Sequence, residues 1–183
     1  VRLFTIEHSL SEYRTDLMVY GGAWLSLLAY LALATPAPMR WVVVFLSLAG
    51  IASWSLVEYL LHRFVLHCIR PFSDWHTAHH RRPTALICTP TILSAALMVS
   101  LVFLPAFALA GPWHACGLTF GMLSGYLAYT VTHHMVHHGR ARGSWLQGRK
   151  RWHAQHHAGG NGHYGVTSAF WDHMFCSVRM TRA

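Results

Sequence analysis

Four stretches of this chain carry almost no charge over the length of a membrane-crossing helix, and nothing else in the sequence constrains the fold as tightly. Residues 17–34, 91–110 and 113–132 contain no Asp, Glu, Lys or Arg, and residues 41–61 contain only Glu58, near their far end. A helix rises about 1.5 Å per residue, so about 20 apolar residues cross a hydrocarbon core roughly 30 Å thick. The chain is therefore expected to be all-α, a single domain over residues 1–183 with four transmembrane spans. Composition agrees: 11% of residues are charged and the mean hydropathy is +0.31, where soluble domains carry roughly 25% charge.

The breaks between the runs are chemically explicit. Thr35-Pro36-Ala37-Pro38 ends the first span, because proline lacks the amide donor and restricts its predecessor. Pro105 is expected to kink the third, and Gly111-Pro112 to turn the chain back. Residues 1–16 read as a short amphipathic lead-in with Ser9 or Ser11 capping ahead of Glu12. Residues 68–90, with Pro71, Pro83 and Pro90, read as irregular or short-helical and outside the bilayer. The fourth span should continue as helix to His138, with Gly139 as its cap.

Charge sets the orientation. The formal net charge is +8, and the basic residues lie between and after the apolar runs, a placement that fits a membrane surface and argues against nucleic acid as partner. Arg2 and Arg14 precede the first span, Arg63, Arg70, Arg81 and Arg82 separate the second from the third, and seven more follow the fourth, with only Arg40 on the other side. By the positive-inside rule, both termini and the middle segment are expected in the cytosol. Trp41, Trp113 and Trp152 fall where an interfacial aromatic belt would. Cys68, Cys88, Cys116 and Cys176 are scattered and indicate no disulfide framework, and no signal peptide is expected.

All the multi-histidine groups fall on that cytosolic side: His62 with His67, then His76, His79 and His80, then Thr132 to His138, then His153, His156 and His157. The pattern His-x-x-His-His occurs three times, starting at His76, His134 and His153, where this histidine content would give about 0.1 copies by chance. Neutral imidazoles suit Fe, Zn, Cu or Ni, and several on rigid elements make a site. On a helix the first histidine of the pattern can meet the second at i+3 and the third at i+4, so one turn serves one metal or splits between two. The set His62, His67, His76, His79, His80, His133, His137, His153, His156 and His157 exceeds what one ion binds, and two metals are expected. At the end of the fourth span two registers satisfy the spacing, His133 with His137 or His134 with His138. His8, His114, His163 and His173 stand alone and are expected at the surface or behind the site. Glu58, four residues before His62, is expected to accept a hydrogen bond from a ligand imidazole, with a structural bond to an arginine such as Arg63 as the alternative.

The run from Glu58 to His67 (Glu-Tyr-Leu-Leu-His-Arg-Phe-Val-Leu-His), the three later histidine groups, and Gly165-Val166-Thr167-Ser168-Ala169-Phe170-Trp171-Asp172 together resemble the integral-membrane fatty acid hydroxylase superfamily. The resemblance covers about residues 55–176. It is closest to the fatty-acid 2-hydroxylase branch, with sterol desaturases and carotenoid ring hydroxylases as relatives. It implies a four-helix transmembrane bundle under a cytosolic, histidine-rich helical cap. It also implies a pair of iron ions that activates O2 to hydroxylate a lipid acyl chain, with zinc able to replace iron in a purified sample. The family pattern His-x-x-x-His-His maps onto His133, His137 and His138, which selects His133 over His134. Many relatives carry a b-type cytochrome domain that these residues do not contain, so a separate electron-transfer protein is expected. The Pro-x-Asp of that branch is replaced here by Pro83-Thr84-Ala85.

Other functions remain distinguishable. A desaturase, or a hydroxylase of a sterol, carotenoid or lipid headgroup, would share the centre and differ in product. A membrane metal-binding or transport protein would place its ligands near the bilayer midplane. A bis-histidine haem protein would pair lone histidines on facing helices.

Overall fold

The structure, a computed structural model, describes residues 7–87, 89–159 and 161–178. Among these there is no strand, only an isolated bridge between Glu7 and Ile87. The helices are α1 (Leu10–Ala34), α2 (Arg40–Leu60), α3 (Phe72–Arg81), α4 (Thr91–Met98), α5 (Leu104–Ala110), α6 (Pro112–His138), α7 (Ser144–Gly159) and α8 (Phe170–Met174). The chain divides into two compact units, one from Val1–Trp54 with Leu86–Leu127 and one from Ser55–Ala85 with Ala128–Ala183.

In the first unit the local signals act as the sequence predicts. Ser9 caps α1 in a reciprocal box with Glu12, which satisfies two amides that a helix start leaves open. α1 thus starts at Leu10, ahead of the apolar run. The prolines after Ala34 give a single 3-10 turn, Ala37–Met39. Between α4 and α5 the backbone widens into a π-helical stretch, Val99–Phe103, immediately before Pro105. Proline cannot donate to the preceding turn, and the wider ring absorbs the missing bond.

α6 is the enclosed helix of this unit, with Ala115, Cys116, Met122 and Leu123 buried. Glycines on both helices permit close approach of α6 and α2: a Cβ on Gly121 would lie 2.1 Å from the Ser47 carbonyl oxygen, and one on Gly50 would lie 2.6 Å from that of Leu118. Such small-residue crossings suit helices in lipid, where van der Waals fit rather than apolar burial drives association. Trp24 donates to Ser124 Oγ at 2.7 Å, and stacks on Phe120. The outward side chains of the unit, Leu25, Leu33, Phe45, Leu48, Leu101 and Leu109 among them, are apolar and exposed.

Among the described residues, three helices are long and apolar enough to cross a membrane: Leu10–Ala34, the continuous stretch Ala37–Leu66, and Thr91–Ala110. Such helices, with their apolar outer surface, mark a membrane protein. The fourth expected span, residues 113–132, lies within α6 and is absent from that group; its glycines and hydroxyls lower its hydropathy while serving the packing just described.

The second unit carries the histidines. α2 continues through a π-helical turn, Leu61–Leu66, into His67. The segment 68–90, expected to be irregular or short-helical, contains the ten-residue α3. α6 runs unbroken to His138, and Gly139 N–H closes it on Met135 O at 3.0 Å. α7 follows, then a loop that leads to α8.

Candidate metal centre

Nine imidazoles converge in this unit as two groups. His62, His67, His76, His80 and His156 offer ring nitrogens that all lie within 4.8 Å of one another, and His79, His133, His137 and His153 do the same. The His-x-x-His-His spacing produces this split. α3 sends His76 and His80, four apart on one face, to the first group and His79 to the second. α7 sends His156 to the first and His153 to the second. His157 belongs to neither group: its Nε2 is 3.1 Å from His153 Nε2, and its ring stacks on His80 at 4.2 Å between centroids. It lines a cleft of about 450 Å³ with His80, His137, His153 and Lys150.

At the end of α6 the structure brings His133 to within 4.9 Å of His79 and 5.0 Å of His153 between ring centroids. His134 instead stacks on His138 at 4.6 Å, outside both groups. Of the lone histidines, His163 is buried with its ring 4.5 Å from that of Trp152, and His173 is exposed.

The donor atoms suit a cation. His62 Nδ1 faces the Tyr164 carbonyl, and His156 Nδ1 lies 2.8 Å from the Gly162 carbonyl. A carbonyl only accepts, so both nitrogens carry the ring proton and both Nε2 atoms present lone pairs. His76 Nε2 faces three other Nε2 atoms, of His62 at 3.0 Å, His67 at 3.1 Å and His80 at 2.9 Å. His156 Nε2 faces those of His67 at 3.3 Å and His80 at 3.0 Å. His67, His76 and His80 can supply at most one proton each, too few to make every one of these approaches a hydrogen bond. Lone pairs are left facing lone pairs, an arrangement that a central cation relieves. The spacing agrees: two nitrogens each about 2.1 Å from one ion at a right angle lie about 3.0 Å apart. In the second group His137 Nε2 lies 3.1 Å from His79 Nε2 and 2.8 Å from His153 Nε2.

Electrostatics keep these rings neutral. Burial, reinforced by the facing imidazoles, pushes His79 and His137 down to about 3 and His80 to about 4. His156 falls to about 3 for the same reason, against the opposing hydrogen bond to Gly162. His76, His133 and His153 are lowered further, again chiefly by desolvation. At neutral pH each of these presents a lone pair, as metal ligation requires.

Glu58 corrects the expectation placed on it. It bonds neither a ligand imidazole nor Arg63, whose Nη1 donates to Tyr59 OH. Its Oε1 accepts the amides of Val166 at 2.7 Å and Thr167 at 2.9 Å, and its Oε2 accepts the Thr167 hydroxyl at 2.6 Å. The spacing from Glu58 to His62 places them on one helical face but says nothing of a loop more than a hundred residues later. Sequence reasoning also gave no role to Asp172, which is fully buried. The available signals were its place at the end of the Gly165–Asp172 motif and its scarcity, as one of only six acidic residues in the chain.

A family model described as fatty acid hydroxylase matches residues 47–177. The chain is 34% identical over 166 residues to the dihydroceramide fatty acyl 2-hydroxylase FAH2 of Arabidopsis thaliana, covering 83% of this chain and 69% of that protein. It is 34% identical over 183 residues to the fatty acid 2-hydroxylase of Macaca fascicularis, covering 91% of this chain but 47% of the relative. Among solved structures, full-length scs7p, in which only the hydroxylase domain is visible, superposes with a TM-score of 0.72 at 28% identity, covering 90% of this chain and 67% of that one.

Proposed function

The chain belongs to the fatty acid hydroxylase family, and on that footing we propose that it hydroxylates a lipid acyl chain with O2 at a pair of histidine-held iron ions. The observation that carries this reading is the interleaving by α3 and α7 of two imidazole groups, each with its ring nitrogens within 4.8 Å of one another, which supports one ion in each. His62, His67, His76, His80 and His156 would hold one ion, and His79, His133, His137 and His153 the other. His157, ten residues' worth of ligands completed, stands at the cleft and would serve the second ion from outside its compact set.

The balance is C–H plus O2, two electrons and two protons giving C–OH and water. When bound, the iron pair supplies the oxygen activation that this chemistry requires. The histidines hold that pair with neutral nitrogens; α3 and α7 fix the separation of the two groups; burial limits water at the rings. The two electrons come from a redox donor. The single domain crosses the bilayer with four spans, residues 113–132 included, and the basic residues place both termini and the metal groups in the cytosol.

The test joins metal and product. Purified in detergent, the wild type should hold about two metal ions per chain, and His137→Ala and His156→Ala should each hold fewer. Cells expressing the wild type should accumulate acyl lipids heavier by one oxygen atom, and cells expressing either variant should not. Two bound metals with no oxygenated lipid in iron-replete cells supplied with an electron donor would overturn the hydroxylase reading.

A further inference from the structure

The loop between α7 and α8 carries more hydrogen bonding than a connection requires. Four successive amides, those of residues 164–167, end on two buried carboxylates. Asp172 Oδ1 accepts Tyr164 N–H at 2.8 Å and Ser177 Oγ–H at 2.7 Å, while its Oδ2 accepts Gly165 N–H at 2.7 Å and Trp152 Nε1–H at 3.3 Å. Glu58, from α2, accepts the amides of Val166 and Thr167 and the Thr167 hydroxyl. The Arg149 guanidinium on α7 interacts with both acids, which lowers the cost of burying two like charges.

The carbonyls of the same loop face the histidines. Tyr164 C=O receives Nδ1–H of His62, and Gly162 C=O receives Nδ1–H of His156. The loop has little room to choose another path. A Cβ on Gly165 would lie 1.8 Å from the Ser168 carbonyl oxygen, and the chain enters through Gly162 and His163, both at positive φ. Both rings that hydrogen-bond the loop belong to the five-histidine group. In the other group, Nδ1 of His79 and of His153 is buried with no hydrogen-bond partner among the described residues.

We infer that Glu58 and Asp172 are positioning residues: through the 162–167 loop they fix the tautomer and direction of His62 and His156, so the five-histidine group holds its metal more tightly than the four-histidine group. This rests on the two-metal reading above. Carbonyl partners behind a ligand imidazole set which nitrogen is free and raise its basicity, and losing such support lowers metal affinity about 10- to 100-fold. Asp172 is the stronger lever, because its two oxygens hold the amide of Tyr164 itself and that of its neighbour.

The experiment uses the full chain in detergent, loaded with Zn2+ alone and followed by release to a chromogenic chelator. Asp172→Asn is placed on two backgrounds: His133→Ala with His137→Ala, which reduces the second group to His79 and His153 and leaves the five-histidine group whole, and His76→Ala with His80→Ala and His156→Ala, which reduces the first group to His62 and His67 and leaves the four-histidine group whole. On the first, release should quicken about 10- to 100-fold; on the second it should be unchanged. In the wild type, release should show a slow and a fast phase, and Asp172→Asn should abolish only the slow one. Equal acceleration on both backgrounds would show a general loosening and overturn the inference, as would no effect on either. Should Asp172→Asn lose helicity, Ser177→Ala, which removes one donor to Asp172 and keeps the carboxylate, makes the same comparison with a smaller effect in the same direction. A wild type that retains no Zn2+ would instead overturn the metal-centre reading itself.

Discussion

Replacing Glu58 by glutamine and by alanine separates the charge of this carboxylate from its role as an acceptor. Glu58 is 4% exposed, and every bond it makes is one it accepts: two amides on Oε1 and one hydroxyl on Oε2. Glutamine keeps an acceptor for the two amides and offers an N–H to Thr167 Oγ1, which can accept in turn. What is lost is the charge on the two amide bonds, a difference of about 1 to 1.5 kcal/mol each, so roughly 2 to 3 kcal/mol in all. Alanine leaves the amides of Val166 and Thr167 with nothing to replace the carboxylate. At roughly 1 to 3 kcal/mol for each of the two orphaned amides, plus about 1 kcal/mol for the cavity, the cost rises to about 3 to 7 kcal/mol. For a chain of this length about 1 kcal/mol moves the unfolding midpoint by about 2 to 4 °C. Thermal unfolding in detergent at a fixed scan rate, followed by circular dichroism, should therefore rank wild type above glutamine above alanine, with alanine lower by roughly 6 to 28 °C. An alanine variant as stable as wild type, or more stable than glutamine, would refute the argument that this carboxylate anchors the loop.

Two further outcomes follow from the geometry of the histidines. His133→Ala should lower the metal content per chain measured by elemental analysis, whereas His134→Ala should leave it unchanged, because only His133 packs against His79 and His153; equal losses in both would contradict the register of α6. Acid should release the metal and destabilise the metal-free chain together. Rings held at about 3 to 4 in the folded state, His79, His80, His137 and His156, return to about 6.5 on unfolding. Below that value the unfolded chain binds protons that the folded rings refuse, so stability falls as pH drops from about 6.5 and levels off near the folded values. Zinc retention and unfolding midpoints measured from pH 7.5 to 4 should both decline; a midpoint that rises as the solution is acidified would refute it.

Much of the site was legible because its information is local. Histidines at i, i+3 and i+4 must fall on adjacent faces of one turn, so the repeated pattern by itself requires that each helix present imidazoles to one centre or two. The long uncharged runs, the prolines that end them and the box at Ser9 likewise act within a few residues of themselves, and the helices begin and end accordingly. The fourth run shows the limit of that reading: its glycines lower its hydropathy, and their purpose becomes clear only where Ser47 and Trp54 stand against Gly121 and Gly125.

From its sequence alone, then, this chain is all-helical, membrane-bound and rich in imidazole donors gathered outside its apolar runs, since periodicity and composition depend on each residue's near neighbours. Which imidazoles share a group, and where Glu58 and Asp172 spend their hydrogen bonds, were decided only by tertiary structure. Those choices join residues up to 109 positions apart, and no local preference of the backbone encodes them. A carboxylate four residues before a histidine is equally placed to bond that ring or to point past it; the packing of the 162–167 loop against α2 determines that Glu58 takes the amides, and leaves the ring to a carbonyl.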